Sequence, residues 1–324
     1  MSTTTEQQQT APQLPQKERR PRRLLGLLIA AVVVVAAIVV AVVLAGRGGS
    51  SNAAAAGGAG VTTVSIGVAD EAESHWRVFK DLAKKQLNVD VKLVNFSDYS
   101  RPNPALSQGQ TDLNEFQHLQ FLASYNVTNH DSLQPIGATA VYPLPLYSLK
   151  YKAPSALPAG AKVAIPNDAI NEARALLVLQ GAGLVTLKNG GTAYSSTKDV
   201  TAAKVTVTPL DASQTAAALQ NGSVAASIVN VNYATAAKLA ASDVIGKDDP
   251  SSAIAAPYVN AFVARKADAA KPLYLKLAAL YHDPAVEAAV TKDEGGTAVF
   301  RTTGPKALQA ELAKLQADDE AANG

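Results

Sequence analysis

The chain has 324 residues, 48% of them hydrophobic, which is enough for one large or two ordinary domains with a real core. Its 29 basic and 27 acidic residues leave a net charge of +2, and the basic excess lies mostly before residue 24, so nothing electrostatic points to a nucleic-acid partner. Cysteine is absent, which removes disulfides, thiolate ligands and thiol nucleophiles; the four histidines, His75, His118, His130 and His282, lack the spacing of a zinc site, and neither metal nor cofactor is expected.

Residues 1–23 are rich in Gln, Thr and Pro and end in Lys17, Arg19, Arg20, Arg22 and Arg23; a disordered, cytoplasmic basic tail is expected. Residues 24–45 form an uncharged apolar run. As a helix rising roughly 1.5 Å per residue it spans about 33 Å, enough for a hydrocarbon core of about 30 Å. A single-pass anchor is preferred to a cleaved signal peptide, because the run exceeds the roughly 7–15 residues of a signal-peptide core. Leu44-Ala45-Gly46 matches the first three residues of a bacterial lipobox, but Arg47 stands where the lipidated cysteine would be, so no lipid can be attached there. Residues 46–60 are a Gly, Ser and Ala linker to an extracytoplasmic domain.

The outer domain opens with a strand alternating over Val61 to Val68, followed by Trp76, Phe79, Leu82 and Ala83 at helical spacing, then by Val89, Val91 and Leu93 alternating again. This β-α-β order predicts a parallel pair. A second set starts at Lys162 to Ile165 and continues through a helix from about Ala169 to Gln180 that stops at Gly181. Strands recur near Val205 to Thr208 and Val224 to Val229, and a last one near Val259 to Val263 precedes helices that start close to Pro272 and Pro284. Two α/β lobes are expected, one from residues 61–140 and 241–324, the other from residues 141–240.

Ligands in such folds lie beyond the carboxyl ends of the strands. Tyr99 follows the second strand, Phe116 and His118 follow the short segment Thr111 to Asn114, Asn167 and Asp168 follow Ile165, and Asn230 and Asn232 follow Val229. Asn167 or Asp168 is suited to cap the helix that begins there, and Asn171 and Arg174 share one face near its N-terminus. A guanidinium beside an electropositive helix end suits a small carboxylate, unless Arg174 simply pairs with Glu172 or another acidic neighbour. Asn230 and Asn232, one residue apart on a strand end, would point to one side, where an amide carbonyl accepts from an ammonium group. With a box of Tyr99, Phe116, His118 and Phe121, these groups fit an amino acid with an apolar side chain. No nucleophile elbow, phosphate-binding loop or complete dinucleotide loop is present, and no enzymatic activity is expected.

Several long words in fixed order carry a resemblance: Phe96-Ser97-Asp98-Tyr99, Phe116-Gln117-His118, Ile165-Pro166-Asn167-Asp168, Asn171-Glu172-Ala173-Arg174-Ala175-Leu176, Asn230-x-Asn232-Tyr233-Ala234 and Pro257-Tyr258-Val259-Asn260. From about Val64 to Val263 the chain resembles the methionine-uptake substrate-binding lipoprotein family of bacterial ABC importers, the NlpA/MetQ type. The resemblance implies a two-lobed periplasmic-binding-protein fold, type II-like, that closes on free methionine and docks on a permease and its ATPase. It implies that Tyr99, Phe116, His118 and Phe121 line a side-chain pocket, that Arg174 holds the carboxylate and that Asn230 helps hold the amino group. Several positions depart from the family's usual pattern: Phe121 replaces tyrosine, Glu115, Leu119 and Gln120 change the surroundings of His118, Val231 replaces glycine, and Tyr142 stands where an acidic residue is common. The expected function is that of a membrane-tethered methionine receptor; the alternatives are a sensing or adhesive domain on the same fold, or a receptor for another apolar amino acid or short peptide.

Overall fold

The computed structural model describes residues 60–323, so the basic tail, the apolar run 24–45 and nearly all of the linker lie outside the described residues. Among the described residues no helix is long and apolar enough to cross a membrane.

The chain builds β1 (Thr62–Val68), α1 (Ser74–Leu87), β2 (Val89–Asn95), α2 (Pro102–Ser107), β3 (Leu113–Asn114), α3 (Leu119–Asn129) and β4 (Gln134–Val141) before crossing to a second lobe. There it forms β5 (Pro145–Tyr147), β6 (Lys162–Pro166), α4 (Ala169–Gly181), β7 (Val185–Leu187), β8 (Val200–Ala203), β9 (Thr206–Leu210), α5 (Thr215–Gln220), β10 (Ala226–Ile228), α6 (Val231–Ala236) and β11 (Val244–Lys247). It returns through β12 (Val259–Ala264), α7 (Pro272–Leu280), α8 (Pro284–Asp293), β13 (Val299–Phe300) and α9 (Pro305–Asn323).

The first sheet has the order β13-β4-β12-β3-β1-β2 and the second β11-β5-β10-β6-β9, while β7 and β8 pair separately. Parallel pairing joins β1 to β2 and β3, as the β-α-β pattern predicts, and joins β6 to β9 and β10. The strands near each lobe crossing, β12 and β5, pair antiparallel with their neighbours. Because β11 pairs with β5, the second sheet keeps the chain to Lys247, past the boundary expected at 240.

Period-two alternation splits each sheet between two cores. In β12, Phe262 and Ala264 join Val64, Ile66, Trp76 and Phe79, whereas Ala261 and Val263 face Leu119, Leu122, Leu308 and Leu312. In β6, Val163 and Ile165 pack on Leu176 and Leu179 of α4, and Ala164 packs on Leu219 of α5. Each fully buried large apolar side chain contributes roughly 1.5–3 kcal/mol. Helix α1 ends where Asn88 adopts a left-handed φ of 54° and returns its N–H to Ala83. Pro272 and Pro284 sit in the first turns of α7 and α8, where a missing N–H is harmless.

Candidate ligand-binding site

A cleft of about 700 Å³, its open mouth included, lies between the lobes, and Tyr99, Phe116, His118, Phe121, Asn171, Arg174, Asn230 and Asn232 all line it. The structure therefore gathers every site residue expected from the sequence around one space.

The aromatic wall comes from the first lobe. Tyr99, Phe116 and Phe121 form a triangle with ring centroids 6.0–6.1 Å apart, and the ring of Phe121 stands edge-on to the imidazole of His118 at 6.3 Å. A buried amide network holds the loop that carries Phe116 and His118. Asn103 and Gln117 exchange side-chain hydrogen bonds at 2.7 and 2.6 Å, and Asn114 Nδ2 donates to Asn103 Oδ1 at 3.3 Å. Ala261 N–H donates to the Gln117 carbonyl, pinning the loop to β12. At Gly67, one strand away, a Cβ would run into Asn114 Oδ1 and the Phe96 ring, so only glycine lets β1 approach this network.

His118 is the N-cap of α3: its Nδ1 accepts from Phe121 N–H at 3.2 Å. Burial and then the Arg174 guanidinium push its pKa down to about 3, so the ring is neutral. With Nδ1 accepting, the proton belongs on Nε2, a buried donor with no partner among the described residues.

Arg174 is 5% exposed and does not pair with Glu172, whose Oε1 accepts from Thr197 N–H. Its Nε donates to Asp248 Oδ2 and its Nη2 to the Tyr142 carbonyl, each at 2.7 Å, and the guanidinium lies over the Tyr258 ring at 4.2 Å. Nη1 has no hydrogen-bond partner among the described residues. Asp168, rather than Asn167, caps α4 by accepting from Asn171 N–H at 2.9 Å.

Asn230 and Asn232 correct the strand-end expectation. β10 ends at Ile228, and the pair opens α6, with Asn230 as its N-cap and Asn232 in its first turn. Asn230 Nδ2 donates to Asn171 Oδ1 at 3.3 Å, while its Oδ1 is buried without a partner. Asn232 faces the other lobe instead: its Oδ1 accepts from Tyr99 Oη at 2.5 Å and its Nδ2 donates to the Ala69 carbonyl at 3.3 Å. Tyr233 Oη to the Ser97 carbonyl at 3.1 Å, and Gln120 Nε2 to Tyr194 Oη at 3.0 Å, complete a set of bonds between the lobes.

The sequence reading missed Asp70 and Glu294 on the cavity wall and Asp248 behind it, and it noted Glu115, Tyr142 and Asn260 without placing them in the site. Burial, then Glu73, raises the pKa of Asp70 to about 8; burial, then Glu73, raises that of Glu294 to about 9; burial also raises that of Glu115. These acids come from separate loops, and no local motif marks them.

A family profile described as NlpA lipoprotein matches residues 64–301. The chain is 35% identical over 240 residues to the D-methionine-binding lipoprotein MetQ of Salmonella typhi, covering 73% of this chain and 87% of that one. The structure resembles the substrate binding protein of a methionine transporter from Streptococcus pneumoniae, with TM-score 0.68 and 33% identity over 74% of this chain and 95% of that one. It also resembles a nutrient binding protein from Burkholderia cenocepacia bound to methionine, with TM-score 0.67 and 34% identity over 73% of this chain and 99% of that one.

Proposed function

The chain belongs to the NlpA lipoprotein family, and on that premise we propose that it is the substrate-binding protein of an ABC importer, binding methionine between its lobes and delivering it to a permease and ATPase. The observation that carries this reading is the set of free polar atoms on the cavity wall. His118 Nε2–H is a donor and Asn230 Oδ1 an acceptor, both buried without a partner, and the Arg174 guanidinium lines the same cavity as a charged donor. Two donors suit a carboxylate and one carbonyl suits an ammonium group, the complement of an amino-acid head. Tyr99, Phe116 and Phe121 offer an apolar, polarisable wall to the side chain, and aromatic edges favour a thioether sulfur.

Arg174, His118, Asn171 and Asn230 thus take the head group, the three aromatic rings take the side chain, and Asn232 helps to hold the lobes together. The protein selects a closed form and does no chemistry on its ligand. The binding domain lies outside the cytoplasm, and the apolar run 24–45 tethers it where other members of the family carry a lipid.

Calorimetry of the detergent-solubilised chain, unfolded and refolded to strip carried-over ligand, tests the reading. Titration with L- and D-methionine should give saturable heats, and the other apolar amino acids weaker ones. No response to either enantiomer, with saturable binding of another solute, would overturn methionine as the ligand.

A further inference from the structure

Behind the first-lobe wall of the cavity lies a second concentration of chemistry that the amino-acid reading leaves unused. Asp70 and Glu73 come from the loop after β1, His75 from the first turn of α1, Asp293 from the end of α8, and Glu294 from the residue after it. Their side chains are largely buried: 2% exposed for His75, 7% for Glu73, 12% for Asp293 and 19% for Asp70. Among the described residues no lysine or arginine is ion-paired with any of them. Gathering this many buried acids is costly unless some of them stay protonated or they share a cation.

The hydrogen bonds assign the imidazole. Asp293 accepts from Ser74 Oγ at 2.7 Å and from His75 N–H at 2.9 Å, and its Oδ2 lies 3.3 Å from His75 Nδ1. The Nδ1 proton therefore faces Asp293 and Glu73, whose Oε2 lies 3.4 Å away, and in the neutral ring it is Nε2 that carries the lone pair. That Nε2 is buried, has no hydrogen-bond partner, and lies 3.9 Å from Asp70 Oδ2. Asp70 Oδ1 is occupied by Trp76 Nε1–H at 2.7 Å, which leaves Oδ2 available. Both carboxylate oxygens of Glu73 and Oε2 of Glu294 are also buried without hydrogen-bond partners.

Donor atoms of Asp70, Glu73 and His75 all lie within 4.8 Å of one another. Donors on a tetrahedral ion with bonds of about 2 Å stand roughly 3.3 Å apart, a contraction within reach of side-chain torsions. A carboxylate that orients a histidine so that its other nitrogen faces a metal is a recurrent second layer of metal sites, and Asp293 stands in that position.

We propose that Asp70, Glu73 and His75, with Glu294 beside them, bind a divalent transition-metal ion of the Zn2+ or Mn2+ type at the rim of the ligand cavity. One imidazole among carboxylates favours these ions over Ca2+ and Mg2+, which prefer oxygen alone. The ion would tie the loop after β1 and the start of α1 to the end of α8, bracing the wall that Asp70 and Glu294 present to the cleft.

Trp76 is the only tryptophan in the chain, and its ring centroid lies 4.9 Å from that of His75, so its fluorescence reads the site directly. The tag-free full chain in detergent, stripped with a chelator and free of amino acids, is titrated with ZnCl2 and with MnCl2. One equivalent of Zn2+ should change the Trp76 emission saturably, and Mn2+ should quench it. Glu73→Gln and His75→Gln, neither of which lines the ligand cavity, should each weaken Zn2+ binding by at least about tenfold while retaining a cooperative thermal transition. Absence of saturable one-to-one binding in the wild-type protein overturns the site, as does unchanged affinity in both variants. If a variant loses its thermal transition, the Mn2+ titration of the wild-type protein decides alone: unquenched Trp76 emission at saturating Mn2+ overturns the proposal. Because no amino acid is present, this outcome is independent of the methionine assignment.

Discussion

Arg174 and Asp248 form a salt bridge, Nε to Oδ2 at 2.7 Å, at the place where the chain passes between the lobes. Asp248 Oδ1 accepts from Leu144 N–H at 2.7 Å and Arg174 Nη2 donates to the Tyr142 carbonyl, so the pair ties both crossings together. One guanidinium thus braces the hinge and also lines the cleft. Arg174→Ala is expected to weaken methionine binding by about 2–5 kcal/mol, because a buried carboxylate would lose its charged partner. Asp248→Asn keeps an acceptor for Leu144 but leaves the guanidinium short of its counter-charge, and should lower unfolding stability by about 1–3 kcal/mol. Calorimetry and urea unfolding of the two variants check both; unchanged affinity in Arg174→Ala would reduce Arg174 to a purely structural role.

The bond from Tyr99 Oη to Asn232 Oδ1 joins the two lobes across the cleft, so separating the lobes would break it. Tyr99→Phe keeps the aromatic wall and removes only this bond. Methionine affinity should fall by about 0.5–1.5 kcal/mol, chiefly through faster dissociation. Stopped-flow measurement of the dissociation rate tests this, and a rate equal to that of the wild-type protein would show that the bond does not help to hold the lobes closed.

His118 gives a pH dependence with a definite sign. Its folded pKa of about 3 lies below the ordinary histidine value of 6.5, so between these values the unfolded chain binds more protons than the folded one. Stability from this group is complete above pH 6.5 and is lost as the pH falls toward 3. His118→Asn keeps a side-chain acceptor for the helix cap but cannot titrate. Its melting temperature should fall less steeply than that of the wild-type protein between pH 7 and about 4.5; parallel curves would exclude a buried neutral imidazole.

Gly67→Ala should destabilise the fold by about 1–3 kcal/mol, since the added methyl meets Asn114 Oδ1 and the Phe96 ring at the amide network beneath Phe116. A thermal melt checks this. An unchanged midpoint would mean that the network yields without loss.

The β1-α1-β2 unit, the span of α4, the proline starts of α7 and α8 and the aromatic wall were legible because each rests on local pattern: alternation, helical spacing, capping and turn chemistry. The family words marked Arg174 and Asn230 as residues of one site. Local pattern misled at Asn230 and Asn232, where a strand reading put both side chains on one face. A helix N-terminus sends one toward Asn171 and the other across the cleft to Tyr99.

By itself the sequence determined the two-lobed α/β order, the family, and part of the set of side chains that line the cleft, since periodicity and local motifs are properties of neighbouring residues. Only the tertiary structure decided what those side chains do. The partner of Arg174 is Asp248, 74 positions away rather than two, and Asp293 reaches His75 across 218 positions. The burial that keeps His118 neutral, and that gathers Asp70, Glu73 and His75 against Glu294, arises where distant loops meet and exclude water. No spacing along the chain encodes that exclusion; it exists once the sheets have packed.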